Sequence, residues 1–515
     1  MKYNICMKKI MNLYESCKTP IRVTYFGFAL VALGFLIQNE SVNVFYTFHS
    51  NIILFIAELC LRIGEFIIMN LPIIFMLNIV CKKANNASPV VMSLVGYFTF
   101  LVTTMLFSTQ NLNSQAYSTG FGINSVFNMP SGSRVPLETG LIGAFLVAYA
   151  TRTAFIFSRH RGNYSITNIF ARDTSGIIYN FIFCFILGIG VSYTFPFFYT
   201  YLQKAINFIG RDLTDPLRIG IYSVLDRGLS IVGLGNIIRQ PFWYTSAGGS
   251  FSNTLTGQSI VGDVNIWTYL KESSATYIGA GRFITPFYVI NMFIIPGFYL
   301  GTLLSMSDRS DRQILTLEFI FVCIWSIIAG NPLPTEFLML FTSPLLLILY
   351  LVIVGLVSGT LVNFEAFLGF SSRITNTTIA MPGSFADFII NIRNISLLPS
   401  IRIILVVGLV SFMIMLVLTM FYYHYLAFDF AKTGKGDEFV DDIIIASGGI
   451  DNIIKAGSGL FKLNIYLRDP ELISIEKIQE IGIRRVFETR DGLSFELGTS
   501  SNGVARRISR YLPKK

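Results

Sequence analysis

The sequence predicts an α-helical polytopic membrane protein of about ten spans plus re-entrant hairpins, followed by a small C-terminal cytoplasmic α+β domain. Of 515 residues, 53% are apolar and 13% are charged, and the mean hydropathy is +0.60. Soluble domains carry charges at about a quarter of their positions, so an ordinary soluble enzyme is excluded. The net charge is +9, but the basic residues lie at the edges of uncharged runs. They therefore indicate membrane orientation, and no nucleic-acid partner is expected.

Long uncharged runs are the second observation. A helix needs about 20 apolar residues to cross a bilayer core of roughly 30 Å. Runs without any Asp, Glu, Lys or Arg occupy residues 89–107, 175–203, 283–307, 337–364 and 403–428. Shorter or interrupted candidates occupy residues 23–38, 66–81, 139–157 with Arg152, 219–232 with Asp226 and Arg227, and 315–329 with Glu318.

The basic residues predict the orientation of these spans. They cluster near the amino terminus, at Lys82 and Lys83, and between Arg159 and Arg172. Loops rich in Lys and Arg stay in the cytoplasm, so both termini are expected there. The side on which residues 233–282 lie stays open, and re-entrant segments would explain the ambiguity.

One segment between strong spans has helical spacing of apolar residues. Leu202, Ile206, Ile209 and Leu213 recur opposite charged residues. Two interpretations remain open, an amphipathic helix lying in the membrane interface and a loop packed on the protein.

A change in composition near residue 431 is the third observation. We assign residues 1–431 to a membrane-embedded domain and residues 432–515 to a soluble one. Periodicity and turn residues in the second part predict helices at 437–446, 474–481 and 504–511, and strands at 461–467, 485–489 and 493–497. The glycine-rich residues 456–459 are expected to form a flexible turn, since no phosphate-loop pattern follows them.

Three segments of the first domain carry a family resemblance. Residues 233–237 with a downstream Pro-Phe-Trp, residues 280–283, and residues 329–337 resemble, in order, three motifs of the glucose/maltose-type enzyme IICB of the bacterial sugar phosphotransferase system. In the second domain, residues 448–453 and 467–482 resemble the signature spacing of the family's phosphoryl-carrier domain, enzyme IIB.

The resemblance implies a permease of the bacterial inner (cytoplasmic) membrane, surrounded by lipid and assembled as a homodimer. Such a protein takes up a hexose or a glucose-containing disaccharide and phosphorylates it, and it needs a soluble enzyme IIA as partner. No cofactor or metal is expected, because the three histidines are isolated from one another.

The carrier-like domain departs from the family at the nucleophile. The resemblance places the phosphocysteine at Gly459 and a neighbouring arginine at Lys462, and residues 432–515 contain neither cysteine nor histidine. A thiolate serves there because it is both a good nucleophile and a good leaving group. Serine with no adjacent base is a poor substitute, so no catalytic residue is intact.

The permease domain departs at its sugar-contacting residues. The family's glutamate corresponds to Leu333, and its histidine pair to Gly235 and Asn236. The remaining substrate-binding candidates are Asn236, Arg282, Asn331 and Glu336.

Each charged candidate also has a structural interpretation. Glu336 lies between two uncharged runs, where an acid usually lines a pathway or meets a partner. It could instead form a structural ion pair. Arg282 could extend to the membrane interface, and Asp226 could pair with Arg227 within one helix.

Two functions follow, and the enzymatic activity stays open between them. The first is a sugar-specific permease of the phosphotransferase system that receives its phosphoryl group from another protein, such as a separate intact enzyme IIB. The alternative is a non-phosphorylating sugar facilitator or membrane sugar sensor derived from that family.

Overall fold

The computed structural model describes most of the chain. Outside the described part lie residues 1–2, 39–49, 85–86, 109–135, 160–171, 253–256, 258, 273–278, 371–382, 427–435, 482, 484–485, 490–491, 498–500 and 513–515. The expected domain boundary at 431/432 lies among these residues. The side chains of the basic residues Lys83, Arg161 and Arg172 are also not described.

The N-terminal part is built from helices and one short hairpin. Its elements are α1 (Tyr3–Gln38), α2 (Asn51–Met69), α3 (Leu71–Ala84), α4 (Ser88–Phe107), α5 (Gly140–Ser158), α6 (Arg172–Gly210), α7 (Pro216–Ile231), α8 (Gly235–Tyr244), β1 (Ser250–Ser252), β2 (Ser259–Val261), α9 (Asp263–Glu272), α10 (Thr285–Val289), α11 (Ile295–Ser305), α12 (Arg309–Ala329), α13 (Leu333–Thr342), α14 (Pro344–Asn363), α15 (Phe385–Ile392) and α16 (Leu398–Phe421). π-Helical turns join α10 to α11 and extend α16 through Tyr422–Leu426.

Within the described residues, seven helices are long and apolar enough to cross a membrane. They lie at Cys17–Gln38, Ser88–Phe107, Gly140–Ser158, Thr174–Gly210, Thr285–Ser305, Pro344–Asn363 and Ile395–His424. The chain is therefore mostly helical and multi-pass, as expected. The predicted number of about ten includes segments that are shorter or more charged in the structure, such as α3, α7 and α12.

One predicted segment has different boundaries in the structure. The run at 66–81 is not one span, because α2 ends at Met69 and α3 begins at Leu71.

The amphipathic segment is part of a longer helix. α6 continues through Gly210, and the exposed fractions of Leu202, Ile206 and Ile209 are 6%, 3% and 0%. The segment is therefore helical, as the first interpretation expected, and a packed loop is wrong. Its apolar side chains pack into the protein core.

α7 and α14 are held close together by glycines. A Cβ atom at Gly220 would lie 2.8 Å from the carbonyl oxygen of Gly355, and one at Gly359 would lie 2.9 Å from that of Pro216. This close contact brings the middle of α7 alongside α14 and the start of α13, where the candidate site lies.

The C-terminal domain contains α17 (Gly436–Ala446), β3 (Ile453–Ser458), β4 (Lys462–Leu467), α18 (Ile475–Glu480), β5 (Val486–Thr489), β6 (Gly492–Glu496) and α19 (Ser501–Tyr511). The antiparallel sheet has the order β3-β4-β6-β5. Its core includes Val440, Ile443, Leu463, Phe495 and Ile508.

All six elements predicted for the C-terminal domain are present. The expected flexible turn at 456–459 is wrong, because residues 456–458 belong to β3 and pair with β4.

Candidate functional site

A cavity of about 190 Å³ lies inside the membrane body. It is lined by the connection between α2 and α3, the start of α5, the turn between α7 and α8, and the start of α13. Its polar lining includes Asn70, Glu138, Ser230, Asn236, Arg239 and Asn331. Phe28, Tyr97 and Phe337 contribute apolar surface.

A buried ion pair supports one wall of the cavity. Arg227 donates from Nε to Glu336 Oε1 at 2.7 Å and from Nη2 to Glu336 Oε2 at 2.5 Å. Tyr350 OH donates to Glu336 Oε1 at 2.7 Å. The side chains of Arg227 and Glu336 are 2% and 1% exposed. The Glu336 carboxylate is therefore fully engaged in structural contacts, and Arg227 is the member of the pair that lines the cavity.

A second ion pair adjoins the first. Arg239 Nε donates to Asp226 Oδ1 at 2.5 Å, and Arg239 Nη2 donates to Ser230 Oγ at 2.7 Å. Asp226 also lies 3.6 Å from Arg227 Nη1. The expected pairing of Asp226 with Arg227 thus exists, but it is the longer contact of each residue. The principal partners come from α8 and α13.

Aromatic rings cover the two guanidinium groups. Arg227 and Arg239 lie 5.2 and 5.6 Å from the centroid of the Phe287 ring. Arg239 also lies 5.7 Å from the Trp243 ring. Buried charges are tolerated when every charge is paired and hydrogen-bonded. This four-residue cluster of Asp226, Arg227, Arg239 and Glu336 meets that condition and fixes the arginines beside the cavity.

Two sequence-predicted amides also line the cavity. Asn236 is exposed in the first turn of α8. Asn331 precedes α13, and its Oδ1 accepts a hydrogen bond from the backbone N–H of Leu333 at 3.0 Å. Leu333 lines the cavity as well, so an apolar side chain occupies the position at which the resemblance places a carboxylate.

Arg282 lies outside the residues that line this cavity. It donates to the carbonyl oxygens of Gly279 and Leu213 and lies 5.3 Å from the Phe367 ring centroid. Nearby, Asp263 accepts from the backbone N–H groups of Gly281 and Phe283. In the described structure, Arg282 therefore holds a connection between helices.

Sequence reasoning missed Asn70 and Arg239. Asn70 Nδ2 donates to Phe66 O at 2.8 Å, whereas its buried Oδ1 has no hydrogen-bond partner in the described part of the chain. Arg239 follows the recognised segment 233–237 by two residues, so a helical projection from Asn236 could have identified it. Asn70 carried no such signal, because it falls inside an apolar run.

The glycine at the phosphocysteine position lies at a tight turn in the C-terminal domain. Gly459 N donates to Lys462 O at 2.8 Å, and Ser501 Oγ donates to Gly459 O at 3.1 Å. Lys462 Nζ lies 5.3 Å from the Phe487 ring centroid. No cysteine of the described residues lies at this turn. Among the described residues there is also no cluster of three side chains that could hold a metal ion.

Comparison with known proteins identifies a distant relative. The chain is 22% identical over 524 residues to the PTS system glucose-specific EIICBA component of Staphylococcus saprophyticus subsp. saprophyticus. The alignment covers 97% of this chain and 72% of that protein. No protein-family model matches the chain. The relationship confirms the resemblance to glucose-type enzyme II permeases and, with the seven apolar helices, identifies a multi-pass protein of the inner membrane.

Proposed function

We propose that this distant relative of the glucose-type enzyme II is a sugar permease component of the phosphotransferase system, in which uptake is coupled to phosphorylation. The cavity carries the proposal. Its lining combines polar groups, from Asn70, Asn236, Asn331 and the arginine pair, with apolar side chains. Amides both donate and accept hydrogen bonds, and guanidinium groups donate in fixed directions. Such a lining suits a small polyhydroxylated ligand.

The dimensions of the cavity favour a monosaccharide. Pockets for drug-sized ligands measure roughly 300–1,000 Å³, and this cavity measures about 190 Å³. A glucose-type hexose is therefore proposed as substrate in preference to maltose. Tyr97 and Phe337 would pack on its apolar face, and Asn236 and Asn331 would bind its hydroxyl groups.

The phosphoryl group is proposed to come from a separate protein. Gly459 has no side chain to carry it, so a separate enzyme IIB with an intact cysteine would donate it after phosphorylation by a soluble enzyme IIA. We further propose a homodimer with both termini in the cytoplasm. In this arrangement Arg282 is assigned to positioning the α9–α10 connection and Glu336 to positioning Arg227.

A non-phosphorylating sugar facilitator or sensor is the second candidate. It is favoured by the glycine at position 459 together with the leucine at position 333, because both groups expected to take part in sugar phosphorylation are missing. The amides around the cavity would still bind sugar in such a protein.

Membrane vesicles distinguish these functions. Vesicles containing the protein would receive phosphoenolpyruvate, the general phosphotransferase proteins, enzyme IIA and labelled glucose or maltose, with and without a cysteine-containing enzyme IIB. Glucose phosphate formed only with the added enzyme IIB would support the permease proposal. Binding or equilibration of glucose without phosphorylation in either sample would support the facilitator or sensor.

Two asparagine variants test the binding site. Asn236 is exposed and lines the cavity. Asn236→Ala removes its amide group, which is proposed to bind a sugar hydroxyl, so we expect glucose binding to weaken at least tenfold. Asn265→Ala changes an exposed amide outside the cavity lining and should leave glucose binding unchanged. Equal effects of the two substitutions would contradict this assignment of the site.

A further inference from the structure

The C-terminal domain is hydrogen-bonded to the membrane body through two short segments. The first, the docking turn, is residues 305–312, between α11 and the first turn of α12. The second, the docked loop, is residues 457–461, the end of β3 and the turn that leads to β4. The backbone N–H groups of Ser307 and Asp308 donate to Ser458 O at 3.1 and 3.0 Å. In return, the backbone N–H of Ser458 donates to Ser307 Oγ at 2.8 Å.

Side chains extend this contact on both sides. Tyr466 OH donates to Asp308 Oδ2 at 2.7 Å, and Asn464 Nδ2 donates to Asp311 Oδ2 at 3.2 Å. At the start of α19, Asn502 Nδ2 donates to Ser305 O. Hydrogen bonds from three elements of the domain therefore converge on one turn of the membrane body.

Apolar packing accompanies the hydrogen bonds. Leu460 is 8% exposed and belongs to the hydrophobic cluster of the membrane body, not to the core of its own domain. Phe461 packs against the same cluster, and α19 packs against the π-helical turn Tyr422–Leu426 that follows the last span. A loose encounter between two domains would leave Leu460 in contact with water.

Two glycines allow the docked loop to approach the docking turn. A Cβ atom at Gly459 would lie 2.2 Å from Asp311 Oδ2, 2.9 Å from its Cγ and 3.0 Å from its Cβ. A Cβ atom at Gly457 would lie 3.0 Å from Asp308 Oδ2. Real Cβ atoms essentially never come closer than 3.0 Å to another heavy atom, so a side chain at residue 459 would force the Asp311 carboxylate to move and would disturb this contact.

We propose that the docking turn and the docked loop form a permanent intramolecular latch, which holds the C-terminal domain as a fixed part of the membrane protein. Asp308 and Asp311 face residues 457–459 with two carboxylates. They make the latch selective for a residue 459 that is small and uncharged. A side chain at residue 459 would collide with Asp311, and an anionic group there would also be repelled.

The position of the latch separates it from the cavity. The docking turn includes the start of α12, and Asn331 follows the end of that helix. At 1.5 Å per residue, a helix of this length spans about 30 Å. The domain is therefore held at the opposite end of α12 from the cavity lining, and a separate carrier domain has no access to the docking turn. This inference does not depend on the proposed sugar.

Disulfide cross-linking in the full-length protein tests the latch. In a background with the native cysteines replaced by serine or alanine, Ser307→Cys and Ser458→Cys place two thiols where the hydroxyl oxygens lie 3.0 Å apart. We expect rapid and nearly complete cross-linking under mild oxidation. Adding Gly459→Ala should slow cross-linking at least fivefold, and adding Asp311→Ala to that variant should restore the rate to within twofold.

The controls distinguish a lost contact from a lost fold. Gly190→Ala adds a Cβ atom with nothing within 4 Å, so cross-linking should stay at the parent rate. Gly459→Asp should slow cross-linking more than Gly459→Ala. Slow cross-linking in the parent pair, no effect of Gly459→Ala, or no restoration by Asp311→Ala would each overturn the latch.

Discussion

At the scale of single residues, the pair formed by Arg227 and Glu336 decides how the cavity wall is held. Both side chains are almost completely buried, and Tyr350 supplies one further hydrogen bond to the carboxylate. Removing one partner of a buried ion pair leaves an uncompensated charge, which costs about 3–5 kcal/mol, whereas replacing both partners by apolar residues is often nearly neutral.

We therefore expect Glu336→Leu to destabilise the protein far more than the double variant Arg227→Leu/Glu336→Leu. Thermal unfolding in detergent measures the difference. Tyr350→Phe removes a single hydrogen bond to the carboxylate and should cost less, about 1.5–3 kcal/mol. Equal loss of stability in the single and double variants would show that the unpaired arginine is not the cause.

Asp263 predicts a pH dependence of stability. Burial raises the pKa of Asp263 from 3.8 to about 6, although the Arg282 charge and the backbone N–H of Gly281 oppose the shift. Between these two values the folded state holds a proton that the unfolded state has lost. The contribution of Asp263 to the free energy of unfolding therefore decreases as pH rises from about 4 to about 6.

Asp263→Asn should remove this component, which amounts to about 3 kcal/mol across the interval. The measurement compares unfolding temperatures of the parent and the variant at several pH values between 4 and 7. The parent should lose stability relative to the variant as pH rises. Parallel curves for the two proteins would contradict the assignment.

Sequence patterns identified some site residues and missed others for a physical reason. Asn236 and Asn331 lie in segments with recognisable motifs, and both line the cavity. The partner of Glu336 was not predicted, because Arg227 is 109 positions away along the chain. No local spacing records a contact between α7 and α13. It arises only when the helices pack.

At the scale of elements, two glycines of α7 provide a matched comparison. Gly220 faces the backbone of α14, where an added Cβ atom would lie 2.8 Å from Gly355 O. Gly228 lies on the same helix with nothing within 4 Å of its added Cβ atom. Backbone atoms of two packed helices have little room to move, so the two positions should respond in opposite directions.

We expect Gly220→Ala to lower stability by about 1–3 kcal/mol through overpacking and to weaken glucose binding by moving α7 relative to α13. Gly228→Ala should preserve or slightly raise stability, because alanine restricts the unfolded chain. Unfolding temperature and glucose binding would be measured on both variants. A similar response at the two sites would argue against close packing of α7 on α14.

Element prediction succeeded where composition alone determines structure. The uncharged runs became spans such as α4 and α14, and the alternating residues 461–467 became β4. The prediction was wrong at β3, because the composition of the Gly-Ser-Gly sequence is typical of a flexible turn. β3 is stabilised by pairing with β4, and the end of the strand is further held by its contact with the docking turn.

At the scale of the whole molecule, the two-part architecture was predictable but the contact between the parts was not. The change in charge content near residue 431 predicts a boundary there. The latch depends on hydrogen bonds such as that between Ser307 and Ser458, which are 151 positions apart. The sequence predicted a carrier-like domain, and the structure adds that this domain is docked far from the cavity.

The charged cluster beside the cavity has an electrical consequence for transport. Asp226 and Glu336 balance Arg227 and Arg239, so the cluster carries no net charge. Moving one elementary charge through 100 mV changes the energy by about 2.3 kcal/mol, but displacement of a neutral cluster with a neutral sugar involves no such work. Glucose uptake into vesicles should therefore proceed at the same rate at zero voltage and at about −100 mV set by a potassium gradient. A rate that follows the imposed voltage would show that a net charge moves during transport.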